Sequence, residues 1–246
     1  MDQVLVEVSS QVATITLNRP ERGNALNSDM VVEFLNLFTK VEEDPSVRII
    51  VITGAGKFFC TGFDLQTSST IPEELSNIFE AGYRFYKTIN DCCKPVIAKI
   101  NGPALGGGLG LVFTTDIRIA LKEAYFSFPE IKIGVVPAII SRYIVPEIGL
   151  FKAKQYMLTG EKISAEQGVL DKFITCIVKD HEELNNKVNQ YTKQLLNPPV
   201  AIRTIKKLVN LIGSTENEEL KKDYTKRIFV ELFRQMNYEK QSRSKL

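Results

Sequence analysis

Apolar positions recur along the chain with two different periods, and the changes of period mark its elements. Val4–Val8 and Val12–Leu17 are short β-branched runs around Ser9-Ser10-Gln11, which predicts a hairpin. Asn18–Asn24 is polar and punctuated by Pro20 and Gly23, so it reads as a loop. Met30, Val31, Phe34, Phe38 and Val41 then recur at helical spacing behind a cap at Asn27 or Ser28, and that helix ends near Asp44-Pro45. Val47–Thr53 is almost continuously apolar, the pattern of a strand buried on both faces. Residues 54–62 form a Gly-containing loop leading to Phe63-Asp64-Leu65, and Gln66–Glu74 is expected to be a mobile surface loop. Leu75–Cys92 returns to the helical period through Ile78, Phe79, Tyr83, Tyr86 and Ile89. Pro95–Ile100 is a strand, and Gly106-Gly107-Gly108-Leu109-Gly110 leads from it into a helix of small and apolar residues. Asp116–Ala120 and Tyr125–Phe128 are extended, and Ile133–Ile140 is apolar and loop-like, with Gly134 and Pro137.

Past residue 151 helices dominate. Ser164 and Gln167 form a capping box, Ile174–Val178 is a late strand, and helices are predicted over 181–196, 200–212 and Glu216–Tyr238. Strands and helices alternate between residues 45 and 180, which predicts an α/β fold. No linker interrupts the chain, so residues 1–246 are expected to form a single domain, with a core over 1–180 and a helical C-terminal lobe over 181–243.

Composition narrows the chemistry by exclusion. With 44% hydrophobic and 24% charged residues and a net charge of +2, the chain has no basic patch for nucleic acid. No apolar run approaches the length of a membrane span. Cys60, Cys92, Cys93 and Cys176 show no CxxC spacing and read as incidental thiols. The single histidine, His181, sits in the charged stretch Lys-Asp-His-Glu-Glu. Histidine-based triads and multi-histidine metal sites are therefore not expected, and acid–base work falls to carboxylates, lysines or tyrosines. The terminal Ser244-Lys245-Leu246 is a receptor-read peroxisomal address, so a peroxisomal location and an import-receptor partner are expected.

Two segments could aim bare N–H groups at a developing oxyanion: the turn Thr61-Gly62-Phe63, and Gly106-Gly107-Gly108 at a helix start. From spacing alone, close helix–strand packing is the better account of the glycines. They do not form a P-loop, lacking the following Lys-Ser/Thr, nor a dinucleotide fingerprint. Glu130 lies in an apolar flank of Phe126, Phe128, Ile131 and Ile133 and could carry a proton. Asp64 and Asp116 read as caps or backbone anchors.

Several pieces together resemble the enoyl-CoA hydratase/isomerase (crotonase) superfamily. They are Asn18-Arg19-Pro20 with Asn24-Ala25-Leu26, Phe59-Cys60-Thr61-Gly62-Phe63-Asp64-Leu65 and Asn101-Gly102-Pro103-Ala104-Leu105-Gly106-Gly107-Gly108. Asp116-Ile117, Phe128-Pro129-Glu130-Ile131-Lys132-Ile133-Gly134 and Leu158–Ala165 follow in order, so the resemblance covers residues 1 to about 180. It implies a crotonase-like spiral of ββα turns with a helical C-terminal lobe, assembled as a homotrimer or a hexamer. It implies an acyl-CoA substrate whose thioester oxygen is held by the N–H groups of Phe63 and Gly107, with Gly106 and Gly108 beside them. Ala25, Asp64 and Leu65 would line the groove for coenzyme A, and no metal and no further cofactor would be needed.

One departure stands out. Hydratases of the family typically carry two glutamates, and the position of the first is Gly110 here, which leaves Glu130 alone. Shifting a double bond needs one base, whereas placing water and delivering a proton suits two. The resemblance therefore implies a Δ3,Δ2-enoyl-CoA isomerase of peroxisomal fatty-acid β-oxidation, with Glu130 shuttling the proton. The segment Val136–Ser141 also resembles hydratases and dehydratases of the 3-methylglutaconyl-CoA type, and that alternative stays open. A non-catalytic acyl-CoA-binding protein is the alternative from another class.

Overall fold

The computed structural model describes residues 2–64, 71–196 and 199–243, so the expectations for Leu65, for most of the loop 66–74 and for Ser244-Lys245-Leu246 fall outside the described residues. The chain divides into two compact units, residues 1–197 and 198–246.

The first unit begins with the predicted hairpin, β1 (Val4–Ser9) antiparallel to β2 (Val12–Leu17). Its two-residue turn places Ser10 and Gln11 at φ +50° and +68°, the backbone that tight hairpins use. Helix α1 (Ser28–Glu43) starts where the Asn27 side chain accepts the Met30 N–H at 2.8 Å, and its stripe of Met30, Val31, Phe34, Leu35, Phe38 and Val41 is buried. Strand β3 (Ile49–Gly54) is buried at every position, as a strand inside a parallel sheet with both faces covered is, and it pairs in parallel with β2 and with β4 (Val96–Ile100). Helix α2 (Pro72–Asp91) connects β3 to β4.

From β3 onward a pattern repeats. A strand joins the large sheet, a shorter extended piece joins a second layer, and a helix follows. Strand β4 is followed by β5 (Ala104–Leu105) and α3 (Gly107–Phe113). Strand β6 (Ile117–Leu121) is followed by β7 (Tyr125–Ser127) and α4 (Ala138–Thr159). Strand β8 (Ile163–Ser164) leads into α5 (Ala165–Leu170), capped by the Ser164 side chain, and then β9 (Cys176–Val178). The large sheet runs β1-β2-β3-β4-β6-β9 and the small one β5-β7-β8. This is the expected spiral of ββα turns, and the mixed α/β class holds.

Three stretches differ from the sequence reading. Helix α2 starts at Pro72 rather than Leu75, so residues 72–74, expected at the end of the surface loop, are helical, with Pro72 at its first turn. Ile133–Ile140 was expected to be loop-like, but helix α4 already begins at Ala138, after a 3-10 turn over Pro129–Ile133. Pro146 and the non-helical Gly149 (φ +77°) kink α4, so its apolar residues do not keep one phase and the period is lost to a linear reading. Helix α6 (His181–Leu195) belongs to the first unit, because Leu184, Val188 and Thr192 are buried as it packs on β4, β6 and β9. The second unit holds α7 (Pro199–Ser214) and α8 (Glu218–Arg243), which pack on each other.

Candidate active site

The site is assembled where the loop after β3 meets the start of α3. Two buried asparagines clamp that loop. Asn24 Nδ2 donates to the carbonyls of Ala55 at 2.9 Å and Phe58 at 2.8 Å, while its Oδ1 accepts the Arg19 N–H at 3.0 Å. Asn101 Nδ2 donates to the Gly56 carbonyl at 3.0 Å and its Oδ1 accepts the Gly54 N–H at 3.0 Å. Backbone groups in a tight loop need partners, and these side chains supply them from both flanks. The loop leaves the clamp at Cys60, which bridges Ala104 in parallel register, and Leu105 N–H donates to the Cys60 carbonyl at 2.9 Å.

Residues 60–63 therefore run side by side with 104–107, at a spacing that only glycine allows. A Cβ on Gly108 would lie 2.1 Å from the Cys60 oxygen, and one on Gly62 would lie 2.9 Å from the Gly107 nitrogen.

The peptide planes fix where the two N–H groups point. The Gly62 carbonyl accepts the Leu26 N–H at 2.8 Å, and the Gly106 carbonyl accepts from Leu109 at 2.9 Å and Gly110 at 3.1 Å. In a trans peptide the N–H points opposite to the carbonyl. Phe63 N–H and Gly107 N–H thus both face away from those partners, and among the described residues neither donates to a protein acceptor. Phe63 and Gly107 both line a cavity of about 580 Å³. Helix α3 has seven residues, so any pull on an anion there comes from its first-turn N–H groups rather than from a long dipole.

Glu130 enters the same cavity from the 3-10 turn. Its carboxyl lies directly over Gly106, where a Cβ would come within 2.5 Å of Oε1. Gly106 also has φ +48°, so both space and backbone demand glycine there. Glu130 Oε2 is buried without a hydrogen-bond partner among the described residues, and burial raises the carboxyl above its ordinary value. The other walls include Leu75, Ile78, Ile133, Val135 and Ile139, with Thr61 the one further polar side chain among the described lining residues. The carboxyl therefore stands in an apolar setting.

The Gly110 position is closed as well as uncharged. A Cβ there would meet Ile140 Cγ2 at 2.2 Å, Ile140 Cβ at 2.8 Å and Tyr86 Cε1 at 3.2 Å. Ile140, at the start of α4, and Tyr86, on α2, fill the space into which a side chain at 110 would project. Tyr86 is fully buried, donates its hydroxyl to the Gly107 carbonyl at 2.8 Å, and is held protonated by burial. Nothing in the sequence marked Tyr86 apart from its place in an apolar stretch, and Ile140 stood only within the Val136–Ser141 resemblance, with no role of its own. Asn24 and Asn101 were visible as motif residues, but their clamping role was not.

The remaining expected residues fall nearby or in support. Asp64 lines an adjoining cavity of about 400 Å³ and pairs with Arg19 at 3.2 Å and Arg22 at 3.6 Å. Ala25 is buried next to Leu26, which lines that cavity, and its carbonyl accepts from Arg19 at 2.5 Å. Gly108 is buried behind Cys60 and serves the close approach of the two segments. Asp116 Oδ2 accepts the Val96 N–H at 2.7 Å, a backbone anchor. Burial pushes the Cys60 thiol up to about 12, so it stays protonated and is no nucleophile at neutral pH. Among the described residues no group of three His, Cys, Asp or Glu could hold a metal ion. Among the described residues, a hollow of about 600 Å³ is lined by α8 side chains and holds no comparable convergence of N–H donors and a buried acid.

The sequence profile described as enoyl-CoA hydratase/isomerase matches residues 7–244. The enoyl-CoA hydratase ACTT6 of Alternaria alternata is 43% identical over 170 residues, 67% of this chain, but the chain spans only 56% of that relative's length. The short-chain-enoyl-CoA hydratase of Clostridium acetobutylicum is 33% identical over 219 residues, covering 85% of this chain and 82% of its own. Among solved structures, an enoyl-CoA hydratase from Shewanella pealeana superposes with a TM-score of 0.88 at 26% identity, over 94% of this chain and 88% of the other. An enoyl-CoA hydratase/isomerase from Marinobacter aquaeolei gives 0.86 at 28% identity, over 94% and 92%.

Proposed function

The chain belongs to the enoyl-CoA hydratase/isomerase family, and from that premise we propose that it is a Δ3,Δ2-enoyl-CoA isomerase in which Glu130 is the only acid–base group. The thioester oxygen sits between the N–H groups of Phe63 and Gly107. Glu130 removes a proton from C2 of a 3-enoyl-CoA. The electron pair moves into the C1–C2 bond and the thioester oxygen becomes an enolate oxygen. Return of the same proton to C4 moves the double bond to C2–C3 and regenerates the carboxylate. Each oxyanion donor is worth about a hundred- to a thousandfold in rate, and a dry cavity strengthens both.

The observation that supports this reading is the closed position at Gly110. With Ile140 and Tyr86 against it, a second carboxylate has no room, and the walls offer little to hold a nucleophilic water. The relatives' printed names favour a second reading, hydration of a 2-enoyl-CoA, for which Glu130 would both place the water and deliver the proton. Purified protein offered 3-enoyl- and 2-enoyl-CoA separately distinguishes them. An isobaric product from the 3-enoyl ester supports isomerisation, and a product heavier by one water from the 2-enoyl ester sinks it. Turnover of neither ester, with coenzyme A esters still binding, supports a non-catalytic binding protein instead.

The peroxisomal setting in fatty-acid β-oxidation, and the import receptor as partner, rest in this reading on Ser244-Lys245-Leu246 alone. The assembly is taken to be a homotrimer or a hexamer, and the substrate carries coenzyme A without a further cofactor.

A further inference from the structure

The two oxyanion donors come from segments that are each fixed separately. The Gly62 carbonyl is tied to Leu26 and the Gly106 carbonyl to the first turn of α3, so neither tie reaches the other donor. The backbone bond that joins the segments, Leu105 N–H to the Cys60 carbonyl, lies before both donors. Tyr86 reaches both from a third element, the second half of α2. It donates its hydroxyl to the Gly107 carbonyl at 2.8 Å and packs its ring at right angles to that of Phe63, with centroids 6.1 Å apart. A Cβ on Gly107 would lie 2.8 Å from the Tyr86 hydroxyl oxygen, 3.1 Å from Phe63 Cδ2 and 3.3 Å from Gly62 Cα. The first residue of α3 is therefore enclosed by Tyr86 and by the other donor's residue at once. Tyr86 is held in turn, fully buried against the rings of Phe85 at 5.1 Å and of Tyr143, from α4, at 6.1 Å. Burial raises its hydroxyl above the ordinary phenol value, so it keeps the proton that it donates. A ring that only filled the core would gain nothing from a hydroxyl, which must be desolvated on burial.

We propose that Tyr86 is a positioning residue: by bridging Phe63 and Gly107 it fixes the separation of their N–H groups, and with it how strongly the thioester oxygen is polarised. The inference rests on the acyl-CoA reading of the site. It holds for isomerisation and hydration alike, because both place negative charge on that oxygen. An oxyanion donor helps only where the charge develops, and a misplacement of about 1 Å can cost about a hundredfold in rate. Tyr86 is not among the described lining residues of the cavity, so it acts through the two donors and not on the substrate.

The test compares the full-length wild type with Tyr86→Phe, which keeps the ring and removes the hydroxyl. The first readout is the infrared stretch of the thioester carbonyl in bound butanoyl-CoA, isotope-labelled at that carbon. This saturated ester undergoes neither isomerisation nor hydration, so the reaction assignment does not enter. Hydrogen bonds lower a carbonyl stretch, so it is expected to fall when the ester binds the wild type and to fall less in the variant. The second readout is steady-state kinetics on whichever enoyl ester is turned over. There kcat is expected to drop about ten- to a hundredfold while KM changes by less than about twofold. Phe63→Leu keeps the N–H and removes the ring on which Tyr86 packs. It is expected to weaken the carbonyl shift in the same direction, which keeps the test alive if Tyr86→Phe does not fold. An equal stretch in wild type and Tyr86→Phe, or equal kcat, overturns this proposal alone. The same holds if Tyr86→Phe lowers the melting temperature but leaves the carbonyl stretch where it was, since Tyr86 would then serve packing only. No shift of the stretch when the ester is added to the wild type overturns the acyl-CoA reading together with it.

Discussion

At Glu130 burial and function pull in opposite directions. The carboxyl sits over Gly106 with Oε2 unpartnered, so the protein raises its affinity for a proton relative to the unfolded chain. The folded state then holds more protons than the unfolded one between the ordinary carboxylate value of 4.5 and the raised folded value, and stability falls as pH rises through that window. Glu130→Gln is expected to melt with the wild type below the window and above it on the alkaline side. Thermal melts at pH 4 and pH 8 check this, and a lower melting temperature for the variant at pH 8 contradicts it. The same variant is expected to lose about a hundred- to ten-thousandfold in kcat on whichever enoyl ester is turned over. In the wild type the acid limb of kcat/KM should lie above 4.5.

Gly110 gives the complementary residue-scale prediction. Gly110→Glu drives new atoms into Ile140, which lies 2.2 Å from the missing Cβ. Overpacking of that kind costs about 1–3 kcal/mol, before the burial of a charge is added. The variant is expected to lose stability in denaturant titration without gaining water addition. Adding Ile140→Ala should recover part of the loss, because the two positions share one space and are coupled.

At the scale of elements, the chain's start and stop signals were largely readable where they are local. Asn27 caps α1 and Ser164 caps α5 through their own side chains, as a capping reading of the sequence expects. Asn27→Ala removes the acceptor of the Met30 N–H and is expected to cost about 1 kcal/mol in denaturant titration. The beginning of α4 was not readable. Its first residues follow Gly134 and Pro137, and the helix later bends at Gly149, so neither its start nor its period stands out. That miss mattered to function, since Ile140 at the start of this helix closes the Gly110 position.

For the whole molecule, an apolar surface on the first unit bears on assembly. Leu150, Phe151 and Leu158 on α4 are 68%, 79% and 69% exposed in the single protomer, and Leu170 is 73% exposed. Phe151 and Leu158, seven residues apart in one helix, lie on one face of it, and large apolar side chains grouped on an exposed face mark surfaces that proteins cover. Under the proposed trimer or hexamer, Phe151→Asp is expected to shift the protein toward a monomer, read by light scattering across a concentration series. An unchanged oligomer would place the interface elsewhere.

What the sequence determined by itself were features written in short-range patterns. The hairpin around Ser10, the fully buried β3, the α/β alternation and the glycines beside one carboxylate all depend on periods and spacings within a few residues. The family membership followed from the order of such pieces. What only the tertiary structure decided is how distant segments share space. Phe63 and Gly107 are 44 positions apart, and their N–H groups come to one cavity because their carbonyl partners lie on the other side of each peptide. Gly110 reads as an absence in the sequence, whereas in space it is a site occupied by Ile140 from 30 residues further on. Steric exclusion acts between neighbours in three dimensions, and no linear spacing records which side chain will arrive there.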